Sequence, residues 1–270
     1  MVATILRKLN VQVYGESEPT VVLAHGFGSD QTAWRHQVDA LSQQHRVIIF
    51  DYLGCGKSDV SAYNPLQYSS FDGYCNDVLA LYEALDLNQT IFVGHSVSAM
   101  IGILISRQQP ALISKLVFIG ASPRYLNDGA YHGGFEQANL NAVYEAMAAN
   151  YFDWANGFAP MVVGAPDRPE LGQEFANSLA AMRPDIAQST ARWIFEADLR
   201  HELLFVQQPV LLLQTANDIF VPMEVGIYLS LHIPHNRLVV LEGQGHLPHL
   251  SMPNAITQEI QGFIAGVWEK

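Results

Sequence analysis

Ser96 lies between a β-branched and aromatic run, Ile91-Phe92-Val93-Gly94-His95, and a run suited to a helix, Val97-Ser98-Ala99-Met100. A serine hydroxyl attacks carbonyls at neutral pH only when a base takes its proton. A sharp strand-to-helix turn would hold the serine in a strained conformation and lift its hydroxyl clear of the sheet. Such a turn needs small residues two positions away on each side. Gly94 supplies one, and Ser98 stands where a second glycine is usual. The same turn would offer the Val97 backbone N–H to an oxyanion forming on the attacked carbonyl. A serine between a strand and a helix can also be a plain N-cap, so its partners must decide.

A base and an acid occur in the expected order, each after an apolar run. Arg237-Leu238-Val239-Val240-Leu241 precedes Glu242-Gly243-Gln244-Gly245-His246, where glycines let a loop present the imidazole. His249 lacks that setting and reads as a neighbour. Val210-Leu211-Leu212-Leu213-Gln214 precedes Thr215-Ala216-Asn217-Asp218, and Asp218 is the carboxylate of that loop. It would hold His246 in the tautomer that accepts the Ser96 proton; the alternative is an Asp that caps the turn before Pro222. Val21-Val22-Leu23-Ala24 leads into His25-Gly26-Phe27-Gly28. Two glycines there permit a turn that aims the Phe27 N–H at the same point as the Val97 N–H, with the Phe27 ring as pocket wall.

These positions require strands that end side by side. Apolar runs at 20–24, 47–51, 90–94, 115–120, 209–214 and 237–241 alternate with helical segments. That is the pattern of an α/β fold, a mostly parallel sheet with helices on both faces. The early segment 4–14 is expected to add antiparallel strands at one edge, which makes the 115–120 strand the sixth. Residues 122–198 contain no convincing strand and are too many for an ordinary loop. Segments near 135–149, 150–158, 168–182 and 184–197 look helical, so an insertion of short helices is expected above Ser96. Most of its aromatics should be core, with part of the apolar face roofing the site.

The 270 residues are 49% apolar, which suits one domain over 1–270 with a large core. Acidic residues are scattered, and the net charge of −12 includes no basic cluster able to track phosphates. Nucleic acid and membranes are therefore not expected partners. No apolar run reaches the ~18 residues of a membrane span, and Met1-Val2-Ala3-Thr4 opens no signal-peptide apolar region. A cytoplasmic location is expected, and a monomer is the default. Cys55 and Cys75 are too few for a disulfide scaffold or metal site and read as packing residues. Gly54-Cys55-Gly56-Lys57-Ser58 is too short for a phosphate loop, and no cofactor is expected.

The chain resembles the α/β-hydrolases along its whole length. Within them, His95-Ser96-Val97-Ser98-Ala99-Met100-Ile101-Gly102, Gly120-Ala121-Ser122-Pro123-Arg124-Tyr125, Gly133-Gly134-Phe135-Glu136, Gly157-Phe158-Ala159-Pro160 and Met182-Arg183-Pro184-Asp185-Ile186-Ala187 are similar to one subgroup. It holds the bacterial stress-response regulator RsbQ and the plant karrikin and strigolactone receptors. The resemblance implies a serine hydrolase with a triad of Ser96, Asp218 and His246 and a four-helix lid over an apolar pocket. It implies action in ligand perception, with a signalling protein able to dock through the lid. By resemblance the pocket takes Phe27, His95, Val97, Tyr125, Val143, Phe158, Phe175, Ile194, Phe195, Phe220 and Leu247. Those walls favour a small, uncharged hydrophobic ester or lactone. The alternatives are a metabolic esterase or carbon–carbon bond hydrolase without signalling role, and a non-enzymatic regulator that only binds.

Overall fold

The computed structural model describes residues 2–267. In chain order its strands are β1 (Gln12–Tyr14), β2 (Val21–Ala24), β3 (Val47–Ile49), β4 (Thr90–His95), β5 (Ile113–Ile119), β6 (Val210–Asn217) and β7 (Asn236–Gln244). They form one sheet in the order β1-β3-β2-β4-β5-β6-β7. In this sheet β1 runs antiparallel to its neighbour, and the other pairings are parallel. Every residue of β2, β3 and β4 is buried, because both faces of the sheet are covered and a parallel strand then needs a continuous apolar run. Alternate side chains serve the two faces. Val22, Phe92, Phe118 and Leu212 join one core, while Val21, Val93, Val117 and Leu211 join the other with Trp34, Ile260 and Phe263.

The helices are α1 (Val2–Lys8), α2 (Arg35–Leu41), α3 (Phe71–Ala84), α4 (Val97–Gln108), α5 (Gln137–Ala149), α6 (Tyr151–Val163), α7 (Pro169–Ala181), α8 (Pro184–Phe195), α9 (Met223–His232), α10 (Pro248–Ser251) and α11 (Pro253–Ile264). Among the described residues no helix is long and apolar enough to cross a membrane. The helices α5 to α8 follow β5, the fifth strand, not the sixth as expected. The difference lies in segment 4–14, which supplies one helix and one strand. Ile5, Leu6 and Leu9 lie at helical spacing and pack on the core. Asn10, at φ 49°, then stops the helix, with its N–H on the Arg7 carbonyl and the Val11 N–H on the Leu6 carbonyl. That is the paired closure of a left-handed helix cap.

Each of the four inserted helices carries its own start signal. Asn150 caps α6 through its side chain, Glu136 and Asn139 form a reciprocal box at α5, and Pro169 and Pro184 occupy first turns. Gly164, at φ 63°, ends α6 in the left-handed conformation and turns the chain toward the segment that follows β7.

Candidate active site

Ser96 sits between β4 and α4 at φ 54° and ψ −119°. Few L-residues adopt such angles, and the turn survives because its surroundings fix it: the Ser96 N–H bonds the Ile119 carbonyl of β5 at 2.8 Å. A Cβ at Gly94 would lie 2.6 Å from the Ser98 backbone, so strand and helix pass too closely for any side chain there. Ser98 fits in place of a second glycine because its hydroxyl has partners, the His25 carbonyl and the Tyr52 hydroxyl. Val97 opens α4, so its N–H has no carbonyl one turn back and is available to a ligand.

The structure brings Asp218 and His246 to this serine. His246 Nδ1 lies 2.7 Å from Asp218 Oδ2, and His246 Nε2 lies 2.9 Å from Ser96 Oγ. A carboxylate only accepts, so Nδ1–H donates to Asp218, and Nε2 is left to accept from the serine hydroxyl. The second Asp218 oxygen accepts the Phe220 and Val221 N–H groups at 2.8 and 3.1 Å, which fixes the carboxylate after β6. The Asp218 side chain is 1% exposed and that of His246 7%, so bulk water scarcely screens the pair. The His246 loop is held from the inserted helices: the His246 N–H donates to the Val162 carbonyl at the end of α6 at 2.7 Å. Gly245, at φ 91°, is required there, since a Cβ would lie 2.0 Å from the Val163 carbonyl oxygen.

Further histidines shape the site. His25 Nε2 accepts the Tyr52 N–H at 3.0 Å, so its Nδ1–H donates to the Gly26 carbonyl at 2.8 Å. Burial holds the His25 pKa below its ordinary value and keeps this ring neutral. Because the peptide is trans, fixing the Gly26 carbonyl also fixes the opposite direction for the Phe27 N–H. His95 donates Nε2–H to the His246 carbonyl at 2.7 Å, and its ring backs Gly26, where a Cβ would sit 2.4 Å from His95 Nδ1. His249 is buried against Trp34 and His95, and burial pushes its pKa down to about 3. It is a packed neighbour of the site, as its setting in the sequence suggests.

A narrow cavity lies over Ser96 and is bounded by Phe27, His95, Tyr125, Phe158, Val162, Phe175, Ile194, Phe195, Phe220, His246 and Leu247. No carboxylate, lysine or arginine is among them. Val143 differs from its expected place: it is half-buried on α5 and packs against the core away from this cavity. Val162 takes a wall position that the sequence reading missed, although it lies four residues from Phe158 on one helical face. Tyr125 does more than line the wall, since its hydroxyl is 3.1 Å from Ser96 Oγ. With the serine proton directed at His246, the tyrosine donates. Phe220 packs against Phe158, Phe195 and the His246 ring, at 5.2, 6.0 and 5.6 Å between centroids.

A family model described as the alpha/beta hydrolase fold matches residues 19–253, a span that includes Ser96, Asp218 and His246. The chain belongs to this family. Among its relatives, karrikin insensitive 2 receptor CA of Petunia hybrida is 46% identical over 248 residues, covering 92% of each chain. A strigolactone esterase of Arabidopsis thaliana is 44% identical over 255 residues, covering 94% of this chain and 95% of that one. Among solved structures, a hydrolase of Oleispira antarctica superposes with a TM-score of 0.95 at 37% identity, covering 98% of this chain and 97% of the other. In this α/β-hydrolase the loop after β2 and the turn after β4 flank the place where strand order reverses. In open α/β sheets that crevice is where ligands bind.

Proposed function

We propose that this α/β-hydrolase is a slow serine hydrolase of compact, uncharged esters or lactones of butenolide type, acting in ligand perception. The observation that carries the reading is the hydrogen-bond chain from Asp218 through His246 to Ser96 beneath an apolar cavity. His246 Nε2 takes the Ser96 proton as Oγ bonds to the carbonyl carbon, and the Phe27 and Val97 N–H groups hold the oxyanion. The proton passes to the leaving oxygen as its bond to carbon breaks. Water then attacks the acyl-serine with His246 again as base and releases the acid. The similarity to a karrikin receptor and a strigolactone esterase supports perception as the purpose of this chemistry. Residues 122–198 act as the lid of a single domain spanning 1–270, and a signalling protein docks through it. The protein works as a cytoplasmic monomer.

Binding moves a lid only when the ligand favours one arrangement over another. A panel of compact butenolides should therefore include members that raise the thermal midpoint and slow hydrogen exchange in α5 to α8. Phe158→Ala and Phe195→Ala should weaken that response. Turnover should stay well below the ~10 s⁻¹ typical of metabolic enzymes. A fast, broad esterase whose helices exchange alike with and without every butenolide would overturn the reading and favour the metabolic one.

The oxyanion loop offers a separate check. Gly26→Ala forces His95 or the loop to move, and a displacement near 1 Å costs about 100-fold in rate. Turnover of a fluorogenic acetate ester should fall by about that factor; wild-type turnover in the variant would remove the Phe27 N–H from the mechanism.

A further inference from the structure

Gly26 has no side chain to hold its backbone angles, and the direction of the Phe27 N–H depends on them. Those angles relate the peptide plane before Gly26 to the plane after it, and a buried hydrogen bond grips each plane. After Gly26, its carbonyl accepts the His25 Nδ1–H at 2.8 Å and the Ser29 N–H at 3.3 Å. Before Gly26, the His25 carbonyl accepts the Ser98 hydroxyl. A carbonyl only accepts, and Ser98 has one hydroxyl proton. The Tyr52 hydroxyl, 3.0 Å from Ser98 Oγ, is therefore the donor to that oxygen. Ser98, His25 and Tyr52 are all buried, so bulk water does not compete for these bonds.

Ser98 directly follows Val97 in the first turn of α4, and Val97 carries the other oxyanion donor. One helical turn thus bears one donor and grips the loop that presents the second. That coupling fixes the separation of two N–H groups that come from different strand ends, the loop after β2 and the turn after β4. Glycine at this position would leave the His25 carbonyl without its grip. We propose that Ser98 is a positioning residue of the hydrolase: through the His25 carbonyl, its hydroxyl sets the Phe27 N–H against the Val97 N–H at the spacing an oxyanion needs. The assignment rests on the serine-hydrolase reading and gives the hydroxyl that replaces a glycine a part in the rate. Acylation and deacylation both pass through an oxyanion, so losing the grip slows turnover whichever step limits it.

The test is Ser98→Ala, which removes the hydroxyl and keeps the Cβ, with phenyl acetate as substrate. Ser98 lies outside the cavity wall, so KM should stay within about twofold while kcat falls about 10- to 100-fold, the upper figure being the cost of a displacement near 1 Å. Ser98→Gly should show the same loss, and either variant suffices if the other fails to fold. Tyr52→Phe keeps the bond from Ser98 to His25 and should cost far less. A trifluoromethyl ketone reads the oxyanion directly: Ser96 Oγ adds to its carbonyl carbon, the serine proton passes to His246, and the ketone oxygen takes the negative charge. In each Ser98 variant its Ki should rise by about the factor by which kcat/KM falls. Unchanged kcat in a folded Ser98 variant, or a lower kcat with an unchanged ketone Ki, overturns the assignment. Failure of the underlying reading looks different: the wild type would form no hemiketal on Ser96, and Ser96→Ala would hydrolyse phenyl acetate at the wild-type rate.

Discussion

Ser96→Ala should lower turnover of a fluorogenic short-chain ester by about 10³-fold or more while the protein stays folded. The substitution removes one oxygen, the atom that bonds to the carbonyl. His246 and Asp218 keep their hydrogen bond, and the two proposed oxyanion donors belong to the backbone, so what persists is the small rate that positioning alone supplies. Alanine retains a Cβ, so the turn at φ 54° is neither relieved nor worsened. A thermal midpoint within a few degrees of the wild type is expected, and it separates loss of chemistry from loss of fold. Most of the activity persisting, in protein freed of contaminating esterase, would end the serine mechanism.

The residues that meet at this site are legible in the sequence because each follows a strand, and strands are local patterns. Ile91-Phe92-Val93 and Leu211-Leu212-Leu213 are buried on both faces of the sheet, so they read as unbroken apolar runs with no polar alternation. Val239-Val240-Leu241 belongs to the outermost strand and is only partly buried, yet it pairs in parallel with β6 and so ends at the same edge. Contacts between distant segments leave no such mark. Nothing local announces that the Tyr125 hydroxyl meets Ser96, that His95 supports the His246 carbonyl, or that the Val162 carbonyl anchors the His246 N–H. Segment 4–14 misleads because Val11 and Val13 do alternate, while Ile5, Leu6 and Leu9 just before them follow helical spacing. Cys55 reads as a packing residue, but its partner, the Met182 sulfur 127 residues away, leaves no local mark.

Asp218→Asn should lower turnover near neutral pH by as much as about 10⁴-fold, the largest loss expected of any single conservative change here. Asparagine keeps an oxygen able to accept the Phe220 and Val221 N–H groups, so the loop after β6 should hold its shape. Its amide nitrogen then faces His246 Nδ1 and donates to it. That forces the ring proton onto Nε2, which points at Ser96 Oγ and can no longer accept the serine proton. Geometry is retained and the tautomer is wrong. Asp198 supplies the control, because it is bound by Arg124 and Arg200 away from the serine. Asp198→Asn should cost some stability and leave the turnover of folded protein intact. An active Asp218→Asn variant, or an Asp198→Asn variant that folds and is inactive, would show that the acid has been misassigned.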